Sequence, residues 1–143
     1  MSIISEGYRI PFIGGHLPPI SDLPNNASAL KNASFIEEQL FQYESLGFIK
    51  YVSEKSRVIL PLSAVFSNRW RLVVDGSQNL NQYIKNRKVK LSHLSVANQN
   101  LVMGQWFATA DLESGYHQIP VHPDFHNTLG IKWTKNGKIV YFQ

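Results

Sequence analysis

The sequence predicts an α+β fold, and three observations predict it: a helix with a defined start and stop in the first third, an alternating strand pair near the middle, and an Asn-Gly hairpin towards the end. A chain of 143 residues, 43% hydrophobic and 12% aromatic, is ordinary for one domain and long enough to bury a core. Its 14 Lys and Arg against 10 Asp and Glu leave a net charge of +4, which favours a polyanionic partner without requiring one. There is no cysteine, so disulfides and thiolate zinc sites are excluded and the chain suits a reducing compartment. No basic region precedes an apolar core at the N-terminus, and no apolar run approaches the ~20 residues of a membrane span. The expectation is an intracellular protein, in cytoplasm or nucleus, that is not secreted and has no membrane partner.

Residues 1–33 carry Pro11, Gly14, Gly15, Pro18, Pro19, Pro24, Asn25 and Asn26, a composition that reads as a loop-rich lead-in. Gly14-Gly15 lacks the spacing and the Lys-Ser/Thr of a phosphate loop, which leaves it a turn role. Asn26-Ala27-Ser28 and Asn32-Ala33-Ser34 match the glycosylation pattern, but without a secretory signal they read as polar linker residues. Ser34 and Glu37 fit a capping box, each side chain satisfying an unpaired backbone N–H. Behind them Ile36, Leu40, Tyr43 and Leu46 share a face, and Gly47 is placed to close the helix. A strand is expected over 48–52. Pro61 has no N–H and belongs at a sheet edge or strand start. Strand 62–66 follows, turns at Ser67-Asn68, and returns over 69–75 with Trp70, Leu72 and Val74 on one face and Arg71 and Val73 on the other.

Lys85, Arg87, Lys88 and Lys90, with Tyr83 nearby, form the densest basic cluster. Such charges suit backbone phosphates or equally a solvated loop. A helix is expected over 92–103, ended by Gly104. Residues 106–111 have the aromatic and β-branched content of a buried strand, with Asp111 at its end and Glu113, Ser114 and Gly115 as a turn. A carboxylate held at a strand end can bind a metal or act as a base, whereas spacing alone favours a helix cap or turn. Pro123 interrupts the helix that would align His117, His122 and His126 for zinc, so they read as surface or packing residues. Strands over 129–133 and 139–142 flank Lys135-Asn136-Gly137-Lys138, whose Asn-Gly pair tolerates the positive φ of a tight turn.

The string ADLESGYHQIPV resembles the first catalytic motif of reverse transcriptases from retroelements. PLSAVF and RWRLVVDGSQNLNQYI resemble the fingers-hairpin motifs of the same family, in the same order, and GYRIPF with NASALKNASFIEEQLFQYESLGFIK resembles the region leading into the polymerase domain of some retrotransposons. The resemblance covers nearly the whole chain. It implies a lead-in at 1–33, fingers at 34–91 and the start of a palm at 92–143, with an incomplete antiparallel sheet and packed helices. It also implies that Asp111 is catalytic and a metal ligand, that Arg71 and Tyr116 bind nucleotide, and that Lys85, Arg87, Lys88 and Lys90 meet nucleic acid. The implied cofactor is Mg2+ or Mn2+. The implied partners are an RNA or DNA template-primer and deoxynucleoside triphosphates.

The chain departs from the family at three places. The hairpin tip lacks the lysine and glycine of many relatives, which puts a second phosphate grip in doubt, and Asp75 is followed by Gly76, Ser77, Gln78 and Asn79 where relatives carry an arginine. None of Asp22, Asp75, Asp111 and Asp124 is followed by another aspartate, so the Tyr-x-Asp-Asp motif with the remaining metal ligands is missing. Hence the expectation is part of an RNA-directed DNA polymerase that is inactive as this chain, with the rest of the palm, the thumb and any RNase H region lying elsewhere. The alternative is a non-catalytic nucleic-acid-binding or interaction module derived from such an enzyme.

Overall fold

The computed structural model describes residues 3–86, 88, 103–106, 108, 111 and 115–143. In chain order they form α1 (Ile3–Glu6), β1 (Ser21–Asp22), α2 (Ala27–Lys31), α3 (Ala33–Ser45), β2 (Tyr51–Val52), β3 (Val58–Ile59), β4 (Leu62–Phe66), β5 (Trp70–Val74), β6 (Ile131–Lys135) and β7 (Lys138–Phe142), with short 3-10 turns between them. The fold is α+β. Its described strands make a parallel pair β1–β3, the antiparallel hairpin β4–β5, and an antiparallel sheet in the order β2–β7–β6. A parallel bridge between Ile59 and Gly130 joins β3 to the start of β6.

The core sits between α3 and these strands. Ile36 and Leu40 of α3, Leu62 and Ala64 of β4, and Trp133 of β6 belong to one buried cluster, which Ile10, Phe12 and Ala29 of the lead-in also enter. The β6–β7 hairpin follows from its turn, Asn136 at φ 51° and Gly137 at φ 74°. Its first strand starts at Ile131 rather than 129, because a 3-10 turn, Pro123–Thr128, occupies the approach. The β4–β5 hairpin pairs Phe66 with Trp70 and Val65 with Arg71, so the expected alternation of faces holds.

Helix α3 does not begin in the expected capping box. Asn32 is its first cap, without a side-chain cap bond, because α2 ends immediately before it. Glu37 instead accepts from the Trp133 indole N–H at 3.1 Å, which ties the helix to β6. At the other end Gly47 takes φ 74° as expected. The expected strand 48–52 shrinks to β2 because the helix-closing turn uses the N–H groups of Phe48 and Ile49, both donated to Tyr43 C=O. Leu46 caps α3 and is exposed rather than in the core.

The lead-in is more structured than its composition suggests. Ser21 and Asp22 pair with Val58 and Ile59 in β1–β3, and Tyr8 bridges Val121. Asn25 bridges two units: its Nδ2 donates to Lys132 C=O at 3.0 Å and its Oδ1 accepts from Leu62 N–H at 3.0 Å. Asn26 Nδ2 donates to Ser63 Oγ at 2.6 Å, and Ser28 Oγ accepts from Ala64 N–H at 3.2 Å. These groups cover the edge of β4 that β5 does not pair. Asn26 and Ser28 are thus structural residues rather than linker.

The expected strand 106–111 lies partly outside the described residues. Trp106, Ala108 and Asp111 adopt no regular structure, and Trp106 is 99% exposed. The helix expected over 92–103 lies outside the described residues apart from Met103, which with Gly104 forms a turn.

Asp22 accepts from Lys132 and forms an ion pair with Lys55 at 2.8 Å. Burial alone would raise its carboxyl, but the Lys132 and Lys55 ammonium groups outweigh it and hold the pKa below the usual aspartate value. A depressed folded-state pKa stabilises above the unfolded value and is lost as pH falls through the folded one. Asp22→Asn is therefore expected to lower the melting temperature at pH 7 by roughly 2–4 °C, discounted for partial exposure. The gap should close below about pH 4. Thermal melts of both proteins across pH test this, and a gap that widened in acid would contradict it.

Candidate functional site

The outward face of β4–β5 carries Ser63, Val65, Arg71 and Val73, because residues paired directly across the hairpin share a face. Arg71 is exposed there, beside Val65 and Val73 at 45% and 38% exposure. The opposite face turns Leu62 and Ala64 into the core. At the tip, Phe66 and Trp70 lie 5.2 Å apart, and Trp70 lies 6.0 Å from Phe35 at the start of α3. The hairpin is thereby braced on α3, with a guanidinium and apolar side chains turned to solvent. A guanidinium exposed in this way can donate paired hydrogen bonds to an oxyanion.

Behind β5, Asp75 Oδ1 accepts from Ser77 N–H at 2.9 Å and turns the chain. The Ser77 hydroxyl and N–H together hold the Asp75 carboxyl below its ordinary pKa. The extra residues Gly76 to Asn79 form this turn. Asn79 is buried and donates from Nδ2 to Ser21 Oγ and Ile59 C=O, both at 3.0 Å. Downstream, Lys85 donates its backbone N–H to Pro11 C=O at 2.9 Å and is exposed, as is Lys88. Arg87 and Lys90 lie outside the described residues.

Tyr116 stands on the 3-10 turn Gly115–Gln118 and is 94% exposed. Asp111 is exposed and outside regular structure, and Glu113 lies outside the described residues. Among the described residues no hydrogen bond or ion pair joins Arg71, Asp111 and Tyr116 to one another. The other three aspartates are engaged elsewhere: Asp22 with Lys55 and Lys132, Asp75 with Ser77, and Asp124 with Arg9 at 3.2 Å. Among the described residues no three His, Asp or Glu side chains come together to hold a metal ion. Among the described residues, Asp111 by itself does not make up a two-cation centre.

The histidines make packing and surface contacts. His122 Nε2 lies 2.6 Å from Arg9 Nη2, and His126 Nε2 lies 2.8 Å from Val121 C=O. His117 stacks on Phe48 and also meets Tyr43, whose hydroxyl burial pushes above its ordinary pKa. Reasoning from the sequence missed this aromatic group. Its signal was Tyr43 on the apolar face of the helix and Phe48 directly after the closing Gly47.

No protein-family model matches the chain. No curated protein matches it either. Among solved structures it is similar to a foamy viral protease-reverse transcriptase determined in complex with dsDNA, at 19% identity and a TM-score of 0.68. The likeness takes in 95% of this chain and 28% of that one, so the chain spans little more than a quarter of its neighbour's length. It shows a shared, reverse-transcriptase-like fold. Among the described residues no helix is long and apolar enough to cross a membrane.

Proposed function

We propose that this chain is the fingers and the beginning of the palm of an RNA-directed DNA polymerase of a mobile element. The observation that carries the reading is a coincidence of order and fold: the Arg71 hairpin, Asp111 and Tyr116 follow one another as in reverse transcriptases, on a chain whose fold is similar to one over 95% of its length. In this reading Arg71 grips phosphate oxygens of the incoming nucleotide, and Tyr116 lies beside its sugar. Lys85 and Lys88, with Arg87 and Lys90, neutralise the template-primer backbone. Asp111 supplies one ligand to Mg2+ or Mn2+, and the others come from carboxylates this chain does not contain. Binding to duplex is also what the neighbour's complex with dsDNA suggests.

The test is anisotropy of a labelled RNA–DNA template-primer titrated with the purified chain at several salt concentrations. Affinity should fall steeply with salt and depend little on sequence, and Lys88→Ala should lower the salt slope by about one phosphate contact. Arg71→Ala should matter little for duplex alone and weaken binding when the correct deoxynucleoside triphosphate is added. No binding at low salt, or binding indifferent to salt, would overturn the reading.

A further inference from the structure

We infer that His117 is a positioning residue: its ring docks the Gly115–Gln118 turn onto the corner between α3 and β2 and so sets where Tyr116 projects. The turn lies at the surface. It buries none of its residues, and its closing bond, Ile119 N–H to Tyr116 C=O, is 3.4 Å long. Short 3-10 turns have poor hydrogen-bond geometry, and an element this brief needs outside contacts to stay in one place.

The imidazole supplies such a contact. Its centroid lies 4.9 Å from the Phe48 ring at an interplanar angle of 16°, a stacked pair, and 4.9 Å from Tyr43 at 54°. Tyr43 and Phe48 meet each other at 5.9 Å and 65°, so the three rings form a closed group. That platform is itself fixed, because Phe48 N–H donates to Tyr43 C=O at 2.9 Å across the turn that Gly47 closes. At the far end Tyr8 N–H donates to Pro120 C=O at 2.7 Å. A ring contact on the turn and a backbone bond just beyond it thus both tie this stretch to the rest of the chain.

Successive residues of a 3-10 turn point about 120° apart, so a docked His117 turns the neighbouring Tyr116 away from the platform. That is where Tyr116 stands, 94% exposed. A consequence for nucleotide selection rests on the polymerase reading, whereas the anchoring itself does not.

Since the chain has no cysteine, Tyr116→Cys gives a single site for a nitroxide spin label. Its spectrum should show restricted motion, which His117→Ala converts to a fast-tumbling lineshape and His117→Phe preserves by keeping a flat ring on the platform. An unchanged spectrum in His117→Ala, or equal mobilisation by alanine and phenylalanine, overturns the inference. A second readout needs no substitution: in the 13C-histidine-labelled chain, stacking on Phe48 should shift one set of imidazole proton resonances upfield, with cross-peaks to Tyr43 and Phe48. Five unshifted sets would equally overturn it. Neither readout contains nucleic acid, so failure here leaves the polymerase reading standing, and failure of template-primer binding leaves the anchor standing.

Discussion

Gly130→Ala is expected to lose about 3 kcal/mol or more of folding stability, and Gly130→Val to leave no cooperatively folded chain. The reason is space rather than backbone conformation. A Cβ at Gly130 would lie 2.3 Å from Ser56 Cβ, 2.5 Å from Ser56 Oγ and 2.9 Å from Val58 C=O. None of these can step aside cheaply, because Ser56 is 2% exposed and Val58 is fully buried. Nor can the strand retreat. Gly130 N–H donates to Val58 C=O at 3.1 Å, and Leu60 N–H donates to Gly130 C=O at 2.8 Å, the bonds that join β3 to β6. Losing a pair of such bonds costs about 2 kcal/mol beyond the overlap itself. Urea unfolding followed by tryptophan fluorescence measures the loss, and adding Ser56→Gly should recover part of it by removing the two closest atoms. A Gly130→Ala protein as stable as the parent would contradict the seam as described.

Purified chain given template-primer, deoxynucleoside triphosphates and either magnesium or manganese is expected to show no primer extension above an Asp111→Asn control. Two-cation nucleotidyl transfer needs several carboxylates converging on the attacking and leaving oxygens. Asp111 is the one aspartate free of a structural task among the described residues, since Asp22, Asp75 and Asp124 serve lysines, a turn and an arginine. A single carboxylate leaves the transition state without most of the stabilisation such sites provide, typically many powers of ten in rate. Binding should survive where turnover does not, so the same preparation must retain template-primer affinity. Template-dependent incorporation that Asp111→Asn abolished would overturn this.

Where local chemistry decided the structure, the sequence was legible. Asn136-Gly137 marked the β6–β7 turn, the alternation around Arg71 marked the β4–β5 faces, and Gly47 marked the end of α3. What escaped depended on partners distant in sequence. Glu37 looked like half of a capping box because its neighbours were helical, and nothing nearby announced Trp133, its actual partner. Asn25 looked like loop, and Asn26 and Ser28 like linker, because side chains that pair with a strand edge use the same atoms that pair with water. Likewise Trp106 has the aromatic character of a buried strand residue, yet it stands 99% exposed and outside regular structure. At the candidate site, Arg71 was legible down to its face, whereas the docking of His117 required Tyr43 and Phe48 to be brought to it by the fold.

The bridge from Tyr8 to Val121 bears on the order of events at the ribosome. Arg9 and its partner His122 are separated by 113 residues. At synthesis rates of about 5–20 residues per second, the lead-in waits roughly 6–23 s for the segment that holds it. During that interval Ile10 and Phe12, both destined for the core, have no complete surface to cover them, while the β4–β5 hairpin can already close within microseconds of emerging. The lead-in is therefore open to chaperones and proteases for longer than the β4–β5 hairpin, whose two strands emerge almost together.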